Sequence, residues 1–256
     1  GNGASSTGDG IILDAKTGYK GNINLNINGG SISSNNAYAI RETYTDSTAT
    51  ATHNITVNGG TYTSSKDAIN VSEYFKQAVA NKLSSISISG GTFSGLSALD
   101  YLADGASVTV KLAADTTKDV TIPAGTTVTL DLNDQKLTNV SGHTITNNGK
   151  LTVTGSGTVD NVTHGKGALY NKSGATAILN GGTFTRSQEA GTYEPYGDNG
   201  NSWYTIQNDG TMTINAGTTV TTRLNDSGKA VGGYSSLIRN GGNAGTAPTL
   251  LINGGH

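Results

Sequence analysis

Asp100 and Asp104 are the residues whose type and spacing could best do chemistry, since two carboxylates flanking a glycosidic bond can serve as acid and as base or nucleophile. Two acids four apart in a loop are also what an ordinary surface offers, so the pair is a weak catalytic candidate. His53, His143 and His164 lie in separate stretches without the i, i+4 spacing of a helical metal site, and they read as surface or turn residues. Serine is abundant, yet no GxSxG elbow occurs, and no GxGxxG stands between a strand and a helix. The DNGN run at 198–201 offers oxygen ligands in a tight turn, but the bidentate Glu that would complete a calcium loop is missing, so a plain turn is expected. These readings give no metal site, no cofactor and no enzyme.

Recognition chemistry has a stronger basis. The stretch from Arg186 to Ser202 and just beyond carries Tyr193, Tyr196, Trp203 and Tyr204 among polar residues. Rigid aromatics with a polar tip suit binding surfaces and can stack on sugars, and equally they can pin a loop to the body beneath it. A second stretch, 221–236, brings Arg223, Lys229 and Tyr234. A third, SEYFKQAVANKL at 72–83, reads as a helix capped by Ser72, with Tyr74, Phe75, Ala78, Val79 and Leu83 along one stripe that covers the body of the fold.

The elements that must position these residues follow from composition and repeat. With 37 Gly, 13% charged and 34% hydrophobic residues in 256, the chain departs from the usual balance of a globular enzyme. Three Pro and a net charge of −2 argue equally against disorder. The 16 Lys and Arg are scattered, which excludes the basic footprint of a nucleic-acid or acidic-membrane binder. No Cys is present for disulfides or thiolate metal sites, and no apolar run has the length of a membrane span. No linker divides the sequence, so 1–256 is expected to be a single domain, and the closing LLINGGH, which breaks off inside a recurring motif, suggests a fragment of a longer protein.

That motif is apolar-x-apolar-Asn-Gly-Gly. It recurs with anchors at Asn28, Asn58, Ser89, Asn133, Thr154, Asn180, Asn215 and Asn253, at spacings of 30, 31, 44, 21, 26, 35 and 38 residues. Strand parity puts the residues one and three before each anchor on one face. The first row is Ile27, Val57, Ile88, Leu132, Val153, Leu179, Ile214 and Ile252, and the second runs from Leu25 and Ile55 to Met212 and Leu250. Between anchors comes a second element centred on Ile40, Ile69, Leu99, Ile145, Leu169, Ile206 and Ile238, and after the glycines a third with Ile32, Tyr62, Phe93, Leu137, Phe184 and Val220. Three inward walls per repeat predict an all-β, right-handed parallel β-helix (β-solenoid) of about eight coils with one short helical insertion, stabilised by stacking like residues on like. The spacing of 21 marks one bare coil, and the longer ones hold the insertions at 72–83, 186–202 and 221–236. The anchor Asn is expected to form an amide ladder between coils. The outward neighbours of the second row are Arg41, Asn70, Asp100, Thr146, Tyr170, Gln207 and Arg239, of which one is acidic.

The residues VTVKLAADTTKDVTIPAGTTVTLDLNDQKLTN, ITNNGKLTVTGSGTVDN and LYNKSGATAILNGGTFTRS, across 106–186, resemble the β-helical repeat regions of large cell-surface, adhesin-like proteins of Gram-positive gut bacteria (Firmicutes), which have pectin-lyase-like folds. The resemblance implies an extracellular, cell-surface location and a host protein or glycoprotein, such as immunoglobulin or mucin, as partner. Pectin lyases and many polysaccharide hydrolases share the solenoid, and lyase chemistry there calls for several acidic calcium ligands beside an Arg or Lys base, which one carboxylate in the exposed row does not supply. The expectation is therefore a monomeric, non-catalytic binding module whose ligand meets Tyr170, Tyr193, Tyr196, Trp203, Tyr204, Arg223, Tyr234 and Arg239. A polysaccharide lyase or glycoside hydrolase and a passive stalk are the alternatives.

Overall fold

The computed structural model describes residues 8–16, 18–44, 50–187, 203–222, 236–241 and 247–255. It divides into two compact units, Gly1–Ala114 and Asp115–His256. Each is built from short parallel strands stacked coil upon coil, so the chain has the expected parallel β-solenoid fold.

The first unit holds β1 (Ile11–Ala15), β2 (Asn22–Ile27), β3 (Ser31–Ser34), β4 (Ile40–Tyr44), β5 (Thr52–Val57), β6 (Thr61–Ser64), β7 (Ile69–Asn70), α1 (Glu73–Ala80), β8 (Ser85–Ser94), a 3-10 turn at Ser97–Tyr101, and β9 (Leu102–Lys111). Strands β1, β4 and β7 form one wall, with Ile11, Ile40 and Ile69 in register. Strands β2, β5 and β8 form another, with Ile27, Val57 and Ile88 in register. After the glycine corner, Tyr62 and Phe93 continue the stack, their rings 4.8 Å apart and 7° from parallel. The corner needs glycine for two reasons: Gly60 has φ +110°, and a Cβ there would lie 2.9 Å from the Gly30 carbonyl of the coil before it.

The second unit holds β10 (Thr116–Thr117), β11 (Val120–Ile122), β12 (Thr127–Asp131), β13 (Lys136–Thr138), β14 (Ile145–Asn147), β15 (Lys150–Thr154), β16 (Thr158–Asp160), β17 (Leu169–Asn171), β18 (Thr176–Leu179), β19 (Gly182–Thr185), β20 (Ile206–Asn208), β21 (Thr211–Ile214), β22 (Thr218–Val220), β23 (Ile238–Asn240) and β24 (Thr249–Ile252). Within the unit the strands stack as three walls of five: the sheets β10-β13-β16-β19-β22 and β11-β14-β17-β20-β23, and the run β12-β15-β18-β21-β24. Inward rows such as Val120, Ile145, Leu169 and Ile206 are buried and in register, and so are Leu137, Val159, Phe184 and Val220. Burial of these apolar columns at every coil is the main stabilising term, since no coil closes a core alone.

Four expectations need correction. First, Leu130 rather than Leu132 pairs with Val153, and Val128 with Leu151, so the anchor at Asn133 stands two residues beyond the true register. That coil rises by 23 residues in this sheet, not 21. The cause is local: Asn133 and Asp134 take left-handed φ of 50° and 62° where other coils have glycines, so the corner falls later. Leu132 fills the corner instead, and a Cβ on Gly182 would come within 2.4 Å of its Cδ1. Second, the spacing of 44 hides β9, β10 and β11: Val110 of β9 stacks on Phe93 with no glycine pair to mark it. Third, Leu99 is buried, but on the 3-10 turn and not on a strand. Fourth, α1 buries only Phe75 and Ala78, while Tyr74 is 46% and Leu83 64% exposed. The helix ends at Ala80 and Lys82 turns with φ 59°, which removes Leu83 from the helical stripe.

Two side-chain ladders run between coils. The expected one is present on the outside: Asn58 Nδ2 donates to Asn28 Oδ1 at 2.9 Å, Asn215 to Asn180 at 2.7 Å and Asn253 to Asn215 at 2.9 Å. A second runs along the ends of the β14, β17, β20 and β23 strands, buried at Asn147, Asn171 and Asn208 and ending at the exposed Asn240. There Asn147 donates to Asn171 at 2.8 Å, Asn171 to Asn208 at 2.7 Å and Asn208 to Asn240 at 2.7 Å. Each of these amides also donates to a strand carbonyl, of Thr176, Thr211 and Thr249, so the polar groups taken inside are satisfied.

Candidate functional site

On the outward parity of the sheet β14-β17-β20-β23, Thr146, Tyr170, Gln207 and Arg239 stand side by side, one per coil in register, with Gln207 itself buried. Leu169, Ile206 and Ile238 face the other way, so strand parity alone places the row. The residue that organises it is Asp209, buried in the turn after β20. Its carboxylate accepts from the Tyr170 hydroxyl at 3.0 Å, from Gln207 Nε2 at 3.2 Å and from Arg239 Nη1 at 2.8 Å. Burial first, and then the bond and charge of Asp209, raise the Tyr170 phenol above its ordinary range. Tyr170 therefore stays a neutral hydroxyl with a fixed ring.

His143 packs beside that ring, centroids 5.1 Å apart, and its Nδ1 accepts from the Gly167 amide at 2.9 Å. Burial, then the positive charge of Lys166, lower the His143 pKa to about 4, so the ring is neutral near pH 7 with its proton on Nε2. The Lys172 ammonium lies 5.9 Å from the Tyr170 centroid, within cation–π range. The guanidinium of Arg239 engages one edge with Asp209, and its Nε and Nη2 make no further hydrogen bond among the described residues.

Trp203 and Tyr204 are half-buried neighbours with ring centroids 5.9 Å apart. Arg186, fully buried, donates from Nη1 to the Trp203 carbonyl at 2.7 Å and so ties together the two ends of the 188–202 stretch. Burial lowers its pKa to about 10, which leaves it charged at neutral pH. Tyr193 and Tyr196, the DNGN turn at 198–201, and Arg223, Lys229 and Tyr234 lie outside the described residues.

Asp100 and Asp104 are exposed, the first on the 3-10 turn and the second on β9, so they do not share one strand of a wall. Asp100 acts on Tyr101: burial first, then the charges of Asp100, Glu73 and Glu42, push that phenol up to about 12. His164 is exposed as expected, but His53 is not a surface residue. It is fully buried, with Nδ1 2.7 Å from Glu42 Oε1. The other Glu42 oxygen accepts from the backbone amide and hydroxyl of Ser72 at 3.0 and 2.7 Å, and the Ser72 hydroxyl caps α1 through the Phe75 amide at 3.1 Å. Parity explains the error, since His53 shares a face with Ile55 and Val57, and Glu42 with Ile40. Ser, His and Glu are thus present together, but the serine bonds the carboxylate and the cluster is shut inside, which is a clip for the helix. Among the described residues, no group of three His, Asp or Glu is placed to hold a metal ion.

Set against known proteins, the chain matches no protein-family model, no curated protein and no solved structure.

Proposed function

We propose that this chain is a non-catalytic binding module displayed outside a bacterial cell, and that it captures a host glycoprotein, mucin or immunoglobulin among the candidates, through the Tyr170–Arg239 face. The supporting observation is the state of Asp209. A carboxylate working as acid or nucleophile must reach substrate, whereas this one is buried and holds Tyr170, Gln207 and Arg239 in fixed positions. What faces outward is an aromatic ring, a pinned guanidinium and the Thr146 hydroxyl, which is the chemistry of recognition with little ordering entropy left to lose. The resemblance of 106–186 to repeats of bacterial surface proteins supports the location.

The test compares capture from mucus and serum by the unaltered chain and by Tyr170→Ala. Weakening by about tenfold or more, with the thermal transition within a few degrees, supports the assignment. Undiminished capture refutes it. Release of reducing or unsaturated ends from acidic polysaccharides, abolished by Asp100→Asn, would favour the enzyme reading instead.

A further inference from the structure

We infer that the Tyr170–Arg239 face selects glycans carrying an acidic group, a carboxylate or a sulfate ester, an assignment that rests on the binding role proposed above. Its basis is a local charge balance opposite to that of the chain. The whole sequence has a net charge of −2. Among the described residues, however, Lys166, Lys172 and Arg186 act on His143 beside Tyr170 and Arg239 lies on Asp209, so positive groups outnumber that carboxylate.

The negative charge is also the one withdrawn from solvent. Asp209 is buried at 3% exposure and its oxygens accept three side-chain donors, while the Arg239 side chain remains 30% exposed. A guanidinium held by one edge keeps the other for a second, planar, bidentate acceptor, and carboxylate and sulfate oxygens match that fork. Gly241 makes room for it, because a Cβ there would lie 3.3 Å from the guanidinium carbon. Lys172 is exposed and Lys166 half-buried, and neither shows an ion pair among the described residues. The Nε2–H of neutral His143 adds an uncharged donor, and the rings of Tyr170 and His143 give a sugar a surface to stack on. Aromatic surface beside these cations fits an acidic sugar better than a simple inorganic anion, which has no face to stack.

The full chain can be titrated with sialyl-lactose, sulfo-lactose and lactose, at low and at physiological salt. The account requires either acidic sugar to bind about tenfold or more tightly than lactose, with an advantage that shrinks as salt rises. Lys172→Gln should reduce that advantage severalfold, and Arg239→Gln should abolish it, while Arg239→Lys restores only part. Because Arg239 also supports Asp209, the exposed Lys172→Gln variant and the salt series decide the matter if Arg239→Gln loses structure. Preference for sialyl-lactose alone identifies carboxylate as the acidic group, and for sulfo-lactose alone, sulfate. Equal binding of all three sugars, or of neither acidic one, overturns the inference. The binding role stands or falls separately, on whether Tyr170→Ala loses host glycoprotein.

Discussion

Replacing Asn171 by Leu removes the middle rung of the buried ladder while keeping side-chain volume nearly constant. Three bonds are lost: the one accepted from Asn147 at 2.8 Å and those donated to Asn208 at 2.7 Å and to the Thr211 carbonyl at 3.0 Å. At about 1 kcal/mol net for each, the loss is about 3 kcal/mol. The Thr211 carbonyl and the Asn208 amide oxygen are left less satisfied in a dry interior, which pushes the figure up, and burial of the leucine pushes it down. For a unit of this size such a loss lowers the thermal midpoint by roughly 6–12 °C. The control is Asn180→Ala in the outer ladder, where water replaces the bond accepted from Asn215 and the change stays within about 0.5 kcal/mol. Both variants are read by urea and thermal unfolding with circular dichroism in the far ultraviolet. Equal, small shifts in the two would refute the claim that the buried amides add stability that exposed ones do not.

Other perturbations have defined outcomes. Ser72→Ala removes the cap of α1 and the hydroxyl bond to Glu42 while the backbone amide bond stays, and should cost about 1–2 kcal/mol in urea unfolding. Gly60→Ala, with φ +110° and the Gly30 carbonyl 2.9 Å away, should destabilise by more than 2 kcal/mol, whereas Gly18→Ala, with φ +79° and open space, should cost only about 1–2 kcal/mol. His143 has a folded pKa of about 4 against 6.5 in the unfolded chain, so folding favours its neutral form. Its contribution is present above pH 6.5 and is lost as pH falls from there to about 4; His143→Phe should flatten that part of the stability profile.

The inward walls were legible because apolar parity survives every insertion: Ile55 and Val57, or Met212 and Ile214, announce a buried strand wherever they occur. The same parity applies to polar residues, and it reaches His53 and Glu42 once the pattern is continued past the apolar set. Strand β9 carries no such mark, because no Asn-Gly-Gly corner follows Val110. In the candidate site, Tyr170 and Arg239 could be read from the exposed row, but Asp209 could not. In the sequence it is the middle of Asn-Asp-Gly, indistinguishable from any turn aspartate, and only the stacking of three coils brings Tyr170, Gln207 and Arg239 onto it. Arg186 was hidden for a similar reason, since its partner is the Trp203 carbonyl on the far side of an insertion.

Hydrogen exchange of the full chain, with and without a saturating sialylated and sulfated mucin glycopeptide, tests the central claim most directly. The account predicts that slowed exchange concentrates in 143–147, 167–172, 203–209 and 238–241, the segments that carry His143, Tyr170, Trp203, Tyr204, Gln207, Asp209 and Arg239. Protection confined to the first unit, or to the β12-β15-β18-β21-β24 run, would contradict it.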